Sequence, residues 1–346
     1  MTDLTPELKE LRAAYHRARG PCHVNDIAEE LVGLGEMFGG RRPLIPGYLS
    51  RRSTRWAYVE YYLPLNASKV ARVLDEMAMY AGPLLGRDLR VLDFGSGPGT
   101  ASVGFRLWGG RTSRLVLVDV VEEALEEAEY LLGPTFERAG EPPPGPFDLV
   151  FASNVLVEIE SPERLERLLD RLDPQGYAVV VEPPMAEPTR RLMEWRDRLV
   201  DRGWKIAAPC LGIARCPMRG APDLWCHQDQ GWSPPGWMNE LDDRLGRVHE
   251  TLKYSYLVIT REGKTLADIA DWRLVSNLYR AKGRAWGVLC GHEGTLWHAT
   301  ALTRHREELR VFFRCDRGDL LRIQGPARGR LGPENRVISV ESAGGP

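Results

Sequence analysis

The spacing of apolar residues divides the chain into three stretches with different periods. In the first, Leu4, Leu8, Leu11 and Tyr15 recur at helical spacing, as do Ile27, Leu31 and Leu34, before Gly39-Gly40 interrupts the pattern. Val70, Val73, Leu74 and Met77 repeat it between Leu65 and Tyr80. A recurrence of three or four residues places one apolar stripe on a helix, so residues 1–85 read as a helical N-terminal region. From Leu89 the pattern shortens. Leu89–Phe94, Arg114–Asp119, Phe147–Ala152 and Gly176–Val181 are compact apolar runs of strand length. Thr100–Trp108, Glu122–Leu132 and Pro162–Leu172 carry helical patterns between them. Strands alternating with helices imply βαβ units and a parallel sheet, here over residues 86–205. Between Leu132 and Phe147 the usual further strand is weak or missing. Its place is taken by a loop, Pro142-Pro143-Pro144-Gly145-Pro146.

The third stretch, residues 206–346, begins without any period. Cys210 to Trp237 is rich in Pro, Gly, Trp and Cys, and a hydrophobic core alone would not organise it. After the run Tyr254–Ile259 come short alternating segments: Ala285–Leu289, Leu296–Leu302 and Leu309–Phe313. These predict a small β-rich element. The chain is therefore an α/β protein, with a helical cap, a Rossmann-like sheet domain and a cysteine-rich, β-containing tail.

Composition narrows the function classes. Six cysteines in 346 residues are too few for a disulfide scaffold, and clustered cysteines in a reducing compartment favour metal. No apolar run reaches the length of a membrane span, and the N-terminus lacks a signal-peptide pattern, so a cytoplasmic protein with no membrane partner is expected. The net charge of −2 conceals an asymmetry: from Asp271 onward there are 13 Arg plus Lys against 8 Asp plus Glu. A basic end is what a polyanionic partner requires, and an ordinary solvated face explains it equally well.

Two constellations carry chemistry. Asp93-Phe94-Gly95-Ser96-Gly97-Pro98-Gly99 follows a strand and precedes a helix. Glycines there let the backbone approach a ligand closely, with helix N–H groups facing it. The spacing is Gly-x-Gly-x-Gly, not the dinucleotide fingerprint, because Thr occupies position 100. With an acid two residues before the first glycine, the segment resembles the class I S-adenosylmethionine (SAM)-dependent methyltransferases over residues 89–184. The resemblance implies that Asp93 holds the loop, that Gly95, Ser96, Gly97 and Gly99 line the methionine end, and that Asp119 accepts from the ribose hydroxyls. Asn154, just past a strand, falls where that superfamily contacts substrate or cofactor. For Asp119 a helix cap, and for Asn154 a plain turn, are the alternatives. No general base is assigned, the Asn-Pro-Pro-Tyr type motif is absent, and methyl transfer itself is left open.

The second constellation is Cys210, Cys216 and Cys226, with Cys290 a further 64 residues on. Thiolates in this number bind zinc or an iron–sulfur cluster, and the spacing is wider than zinc ribbons prefer. His227 is an alternative ligand that reads more as a neighbour of the site, and Cys22 and Cys315 read as plain buried or half-buried thiols; Cys315, within a strand-like run, is the rival to Cys290 as fourth ligand. Pro209-Cys210 through Arg215-Cys216-Pro217, Leu224-Trp225-Cys226-His227, Lys253–Val258, Lys282-Gly283-Arg284 and Leu289-Cys290 before Glu293-Gly294 follow in order. This series resembles the methyltransferase-like small-ribosomal-subunit assembly proteins of mitochondria and their bacterial relatives, from about Arg52 onward. The resemblance implies a four-iron, four-sulfur cluster on Cys210, Cys216, Cys226 and Cys290, SAM as cofactor, small-subunit rRNA and the assembling small subunit as partners, and a monomer. The alternative reading is an active rRNA or small-molecule methyltransferase with structural zinc.

Overall fold

A computed structural model describes residues 2–20, 24–221, 223–326 and 329–340. The chain divides into two compact units that do not follow sequence order. One gathers residues 1–76, 83–181 and 231–252; the other gathers 77–82, 182–230 and 253–346. The sequence boundaries at 85/86 and 205/206 therefore fall inside units. The N-terminal helices share a unit with the parallel sheet because buried side chains join them.

In the first unit, α1 (Thr5–Arg19) opens with proline in its first turn and ends at Gly20, whose φ is +89°. It is followed by α2 (Val24–Phe38) and α3 (Arg52–Ala57), which runs through a π turn at Tyr58–Tyr62 into α4 (Leu63–Leu85). The sheet strands are β1 (Asp88–Phe94), β2 (Arg111–Val118), β3 (Glu137–Ala139), β4 (Phe147–Ser153) and β5 (Leu172–Glu182). They run parallel in the order β3-β2-β1-β4-β5. The helices α5 (Thr100–Leu107), α6 (Glu122–Leu132) and α7 (Glu163–Leu169) connect them. The strand missing from the sequence pattern is present as the three-residue β3. None of its residues is fully buried, so no apolar run marks it. Chain order reverses between β1 and β4, and a doubly wound sheet opens its ligand crevice at that switch point.

Two buried glutamates fasten the N-terminal helices. Glu60 accepts from Arg12 Nε at 2.7 Å and meets His16 Nε2 at 2.5 Å. Glu127 on α6, 1% exposed, accepts from the Tyr15 hydroxyl at 2.8 Å, Arg19 Nε at 2.9 Å and Arg55 Nε at 3.1 Å. A carboxylate so buried persists only when its lone pairs are filled by cations and hydroxyls, as here.

The second unit holds α8 (Ala186–Asp201), β6 (Lys205–Ala208), β7 (Gln228–Gly231) and most of β8 (Thr251–Thr260), with β6 antiparallel to β8 and β7 on it too. A second sheet follows: β9 (Trp272–Leu274), β10 (Tyr279–Ala281), β11 (Arg284–Gly291), β12 (Leu296–Leu302), β13 (Leu320–Gln324), β14 (Arg330–Leu331) and β15 (Arg336–Val340). Its order is β14-β12-β11-β9-β13-β15, with β10 paired to β11. Its core includes Leu274, Leu289, Trp297, Phe312 and Leu321. Leu309–Phe313 is not a strand. It is a turn entering a 3-10 helix at Phe312–Arg314, with Leu309, Phe312 and Phe313 buried together. A short apolar run suits either conformation, and the helical spacing of its buried residues decided this one. Among the described residues no helix is long and apolar enough to cross a membrane.

Candidate functional site

The first site lies at the switch point. Gly95, Gly97 and Gly99 have φ of +64°, +52° and +77°, a region where side chains are strained. Packing adds to that demand. A Cβ on Gly95 would stand 2.6 Å from Val155 Cγ2, and one on Gly99 2.8 Å from Leu132 Cδ1. Asp93 is 1% exposed and accepts from the Ser102 amide at 3.0 Å and the Ser102 hydroxyl at 2.7 Å, tying the end of β1 to α5. Burial pushes its pKa up to about 6, against the lowering effect of those two bonds. Asp119 accepts from the Gly97 amide at 2.7 Å and from the Val121 amide at 2.9 Å. It thus clasps the glycine loop and closes the turn into α6 at once; burial raises its pKa too. Asn154 follows β4 with φ +60°, its amide donating to Val181 O at 2.7 Å, and its neighbour Val155 packs against Gly95.

Other residues at this site gave no signal in the sequence. Leu49 lies over the loop: a Cβ on Gly97 would be 3.2 Å from its Cδ1. The turn that carries it, Tyr48–Ser50, is held by Arg55 Nη1, which donates to Leu49 O at 2.9 Å and Ser50 O at 2.6 Å. Tyr48 donates to Glu158 Oε1 at 3.2 Å. Thr100, the first residue of α5, has its side chain buried against the loop. Tyr58 and Asn66 stand beside one another near it.

The second site is in the other unit. Cys210, Cys216, Cys226 and Cys290, all half-buried, line one cavity together with Arg196 and Arg273. The backbone around it is pegged by α8. Arg196 donates to the carbonyls of Gly212 and Ala214. Asp197 accepts from the Cys216 amide at 3.1 Å and from Arg219 at 2.9 Å. Two glycines let the cysteine loop cross the β11–β12 turn: a Cβ on Gly212 would be 2.1 Å from His292 O, and one on Gly294 2.8 Å from Arg215 O. The Cys226 carbonyl accepts from Ser255 Oγ at 3.1 Å.

Burial pushes the Cys216 thiol up to about 11 and Cys290 to about 12, with Cys226 higher still; the neighbouring thiols add to it. Such thiols are poor nucleophiles on their own. They become thiolates when a cationic group replaces the proton, and the two arginines balance the resulting charge. The donor set thus fits a thiolate-bound metal group. Among the described residues no three His, Cys, Asp or Glu converge closely enough to hold a single ion. His227 is not part of this lining: it stacks on Trp225 at 5.7 Å and faces Arg317 Nη1 at 3.1 Å, and burial and that arginine hold its pKa down. Cys315 donates to Val311 O at 3.2 Å within the second sheet's core. Cys22 lies outside the described residues.

Parallel strand order and glycine loop together define a class I methyltransferase-like α/β unit. The chain belongs to the family described as mitochondrial small ribosomal subunit Rsm22, whose profile matches residues 52–322. That start agrees with the resemblance read from about Arg52 onward. No curated protein matches the chain. Among solved structures, it is similar to a ribosomal protein L11 methylase from Lactobacillus delbrueckii subsp. bulgaricus, at 14% identity over 57% of this chain and 79% of that one, TM-score 0.35. It is also similar to an RNA methyltransferase, described as putative, from Pyrococcus horikoshii (14%, 56% and 85%, TM-score 0.36). A third is magnesium protoporphyrin IX methyltransferase from Synechocystis PCC 6803 with bound SAM (14%, 67% and 97%, TM-score 0.36).

Proposed function

We propose that the protein is a SAM-binding factor of the small ribosomal subunit that grips small-subunit rRNA during assembly and carries a four-iron, four-sulfur cluster. The observation that carries this reading is that four cysteines from two distant chain segments line one cavity, in a chain whose family is named for the small subunit. Cys210, Cys216, Cys226 and Cys290 would supply the four thiolates that such a cluster takes, and their spacing along the chain is wider than zinc ribbons prefer. When bound, the cluster supplies a redox-active anionic group; Arg196 and Arg273 offset its charge. Asp93, Gly95, Ser96, Gly97, Gly99, Asp119 and Asn154 would hold SAM, and the left-handed glycines of the loop support a ligand there. For this chain we place the factor in the cytoplasm, as a monomer.

Anaerobically purified protein tests the reading. About four irons and four acid-labile sulfides per chain are expected; one zinc without sulfide would sink the cluster. S-adenosylhomocysteine should bind with the heat of a one-to-one complex. RNA affinity should fall with salt at a slope of about −0.7 per phosphate contacted. Transfer of labelled methyl to small-subunit rRNA separates an active enzyme from a binding factor that uses SAM structurally.

A further inference from the structure

On β11, alternation divides the side chains between two faces. Ala285 and Leu289 enter the core of the second sheet, with Gly287 between them. Arg284, Trp286, Val288 and Cys290 share the other face. Opposite them on β12 stand Leu302, Thr300, His298 and Leu296, and on β10 Tyr279 lies opposite Trp286 and Ala281 opposite Arg284.

The two ends of this face differ. At one end Val288 and Cys290 are covered by Met218, Cys216 and Cys226. At the other the surface is open. Tyr279 is 48% exposed and its ring stacks on Trp286, centroids 5.7 Å apart at 24°. The Arg284 guanidinium lies 5.0 Å from the Trp286 ring. Lys282, Gly283 and Arg284 at the hairpin turn are exposed, and neither Lys282 nor Arg284 forms an ion pair among the described residues. Arg330, in register with Thr300, adds a third exposed cation along the sheet. Arg280 differs, donating to Phe313 O at 3.0 Å.

We propose that the open face around Tyr279 and Trp286 is a stacking platform for single-stranded RNA, with Lys282, Arg284 and Arg330 on its phosphates. Flat aromatic faces beside unpaired cations are what unpaired bases on a charged backbone require. A duplex hides its base faces and offers no such contact. The platform rests on the rRNA-binding reading above and gives it a location.

The test uses the full chain, a fluorescein-labelled single-stranded RNA of about 12 nucleotides carrying one 2-aminopurine, and the duplex of the same sequence. The single strand should bind more tightly, with the 2-aminopurine quenched by stacking. Tyr279→Ala should weaken binding about tenfold and relieve the quench, and Tyr279→Phe should restore both. Lys282→Gln with Arg284→Gln should reduce the salt slope by about 1.4. If Tyr279→Ala binds and quenches like the wild type, RNA binding stands but the platform falls. The platform also falls if the duplex binds as tightly without quenching, or if the face captures a ribosomal protein and no RNA. If the wild type binds neither RNA, the rRNA reading itself fails, and the platform with it.

Discussion

The glycine cleft and the cysteine cavity are built in opposite ways. The cleft sits on a five-stranded parallel sheet whose strands bury Leu92, Val116 and Val150, and its loop is clasped by backbone hydrogen bonds to Asp119. Its shape is held by the chain's own strands and by the bonds from the Gly97 and Val121 amides to Asp119. The cavity is walled by irregular backbone between Cys210 and Cys226 and pegged at a few points by Arg196 and Asp197. Its innermost surfaces are thiols, which contribute little to each other. Removing what fills the cleft should cost affinity alone, whereas losing the proposed cluster from the cavity should cost fold, because binding a metal group is also folding free energy.

The largest effect should come from the cavity. Cys226→Ser should reduce iron and sulfide to background and lower the unfolding temperature by roughly 10 °C, read by metal analysis and calorimetry. Cys315→Ser, in the second sheet's core and outside the cavity lining, should keep the metal; loss of iron there would break the assignment of Cys290 as fourth ligand. Next is Glu127→Ala in the other unit. It strands Arg19 and Arg55 without their carboxylate and should cost about 3–5 kcal/mol in denaturant unfolding, with iron content unchanged.

A smaller effect concerns pH. Asp93 has its folded pKa near 6, above the ordinary 3.8, so the native state holds the extra proton between those values. Stability from this residue is therefore present below pH 3.8 and lost as pH rises to about 6, by roughly 2–3 kcal/mol. The stability of the wild type minus that of Asp93→Asn should therefore fall as pH rises through that window; a difference that rises with pH would contradict the burial argument. The smallest is Asp119→Ala, expected to weaken S-adenosylhomocysteine about tenfold by calorimetry while leaving the iron signal intact. A metal loss in that variant would mean the two sites are not independent.

What could be read from the chain followed how local each feature is. β1, β2, β4 and α6 lie close to the runs that foretold them because periodic burial is written into consecutive residues. The glycine loop was legible for the same reason: Gly95, Gly97 and Gly99 each answer a local dihedral demand. β3 was faint because Glu137–Ala139 is an edge strand with little burial. Leu309–Phe313 was misread because five apolar-rich residues have too few repeats to distinguish a helical turn from a strand. The Tyr48–Ser50 turn over Gly97 and the crossing of Gly212 past His292 carry no sequence signal. Each is a contact between residues far apart in the chain, and only the folded backbone brings them together.

The close crossings of Gly212 and Gly294 also set an order of events during synthesis. Cys210, Cys216 and Cys226 leave the ribosome well before Cys290, which trails by 64 residues. At about 5–20 residues per second that interval is several seconds. Throughout it the first three cysteines have no fourth wall, and the backbone that seats Arg215 against Gly294 has not been made. A newly made chain therefore leaves three thiols without their fourth wall for that interval, and the cavity closes only once the β11–β12 turn has been made.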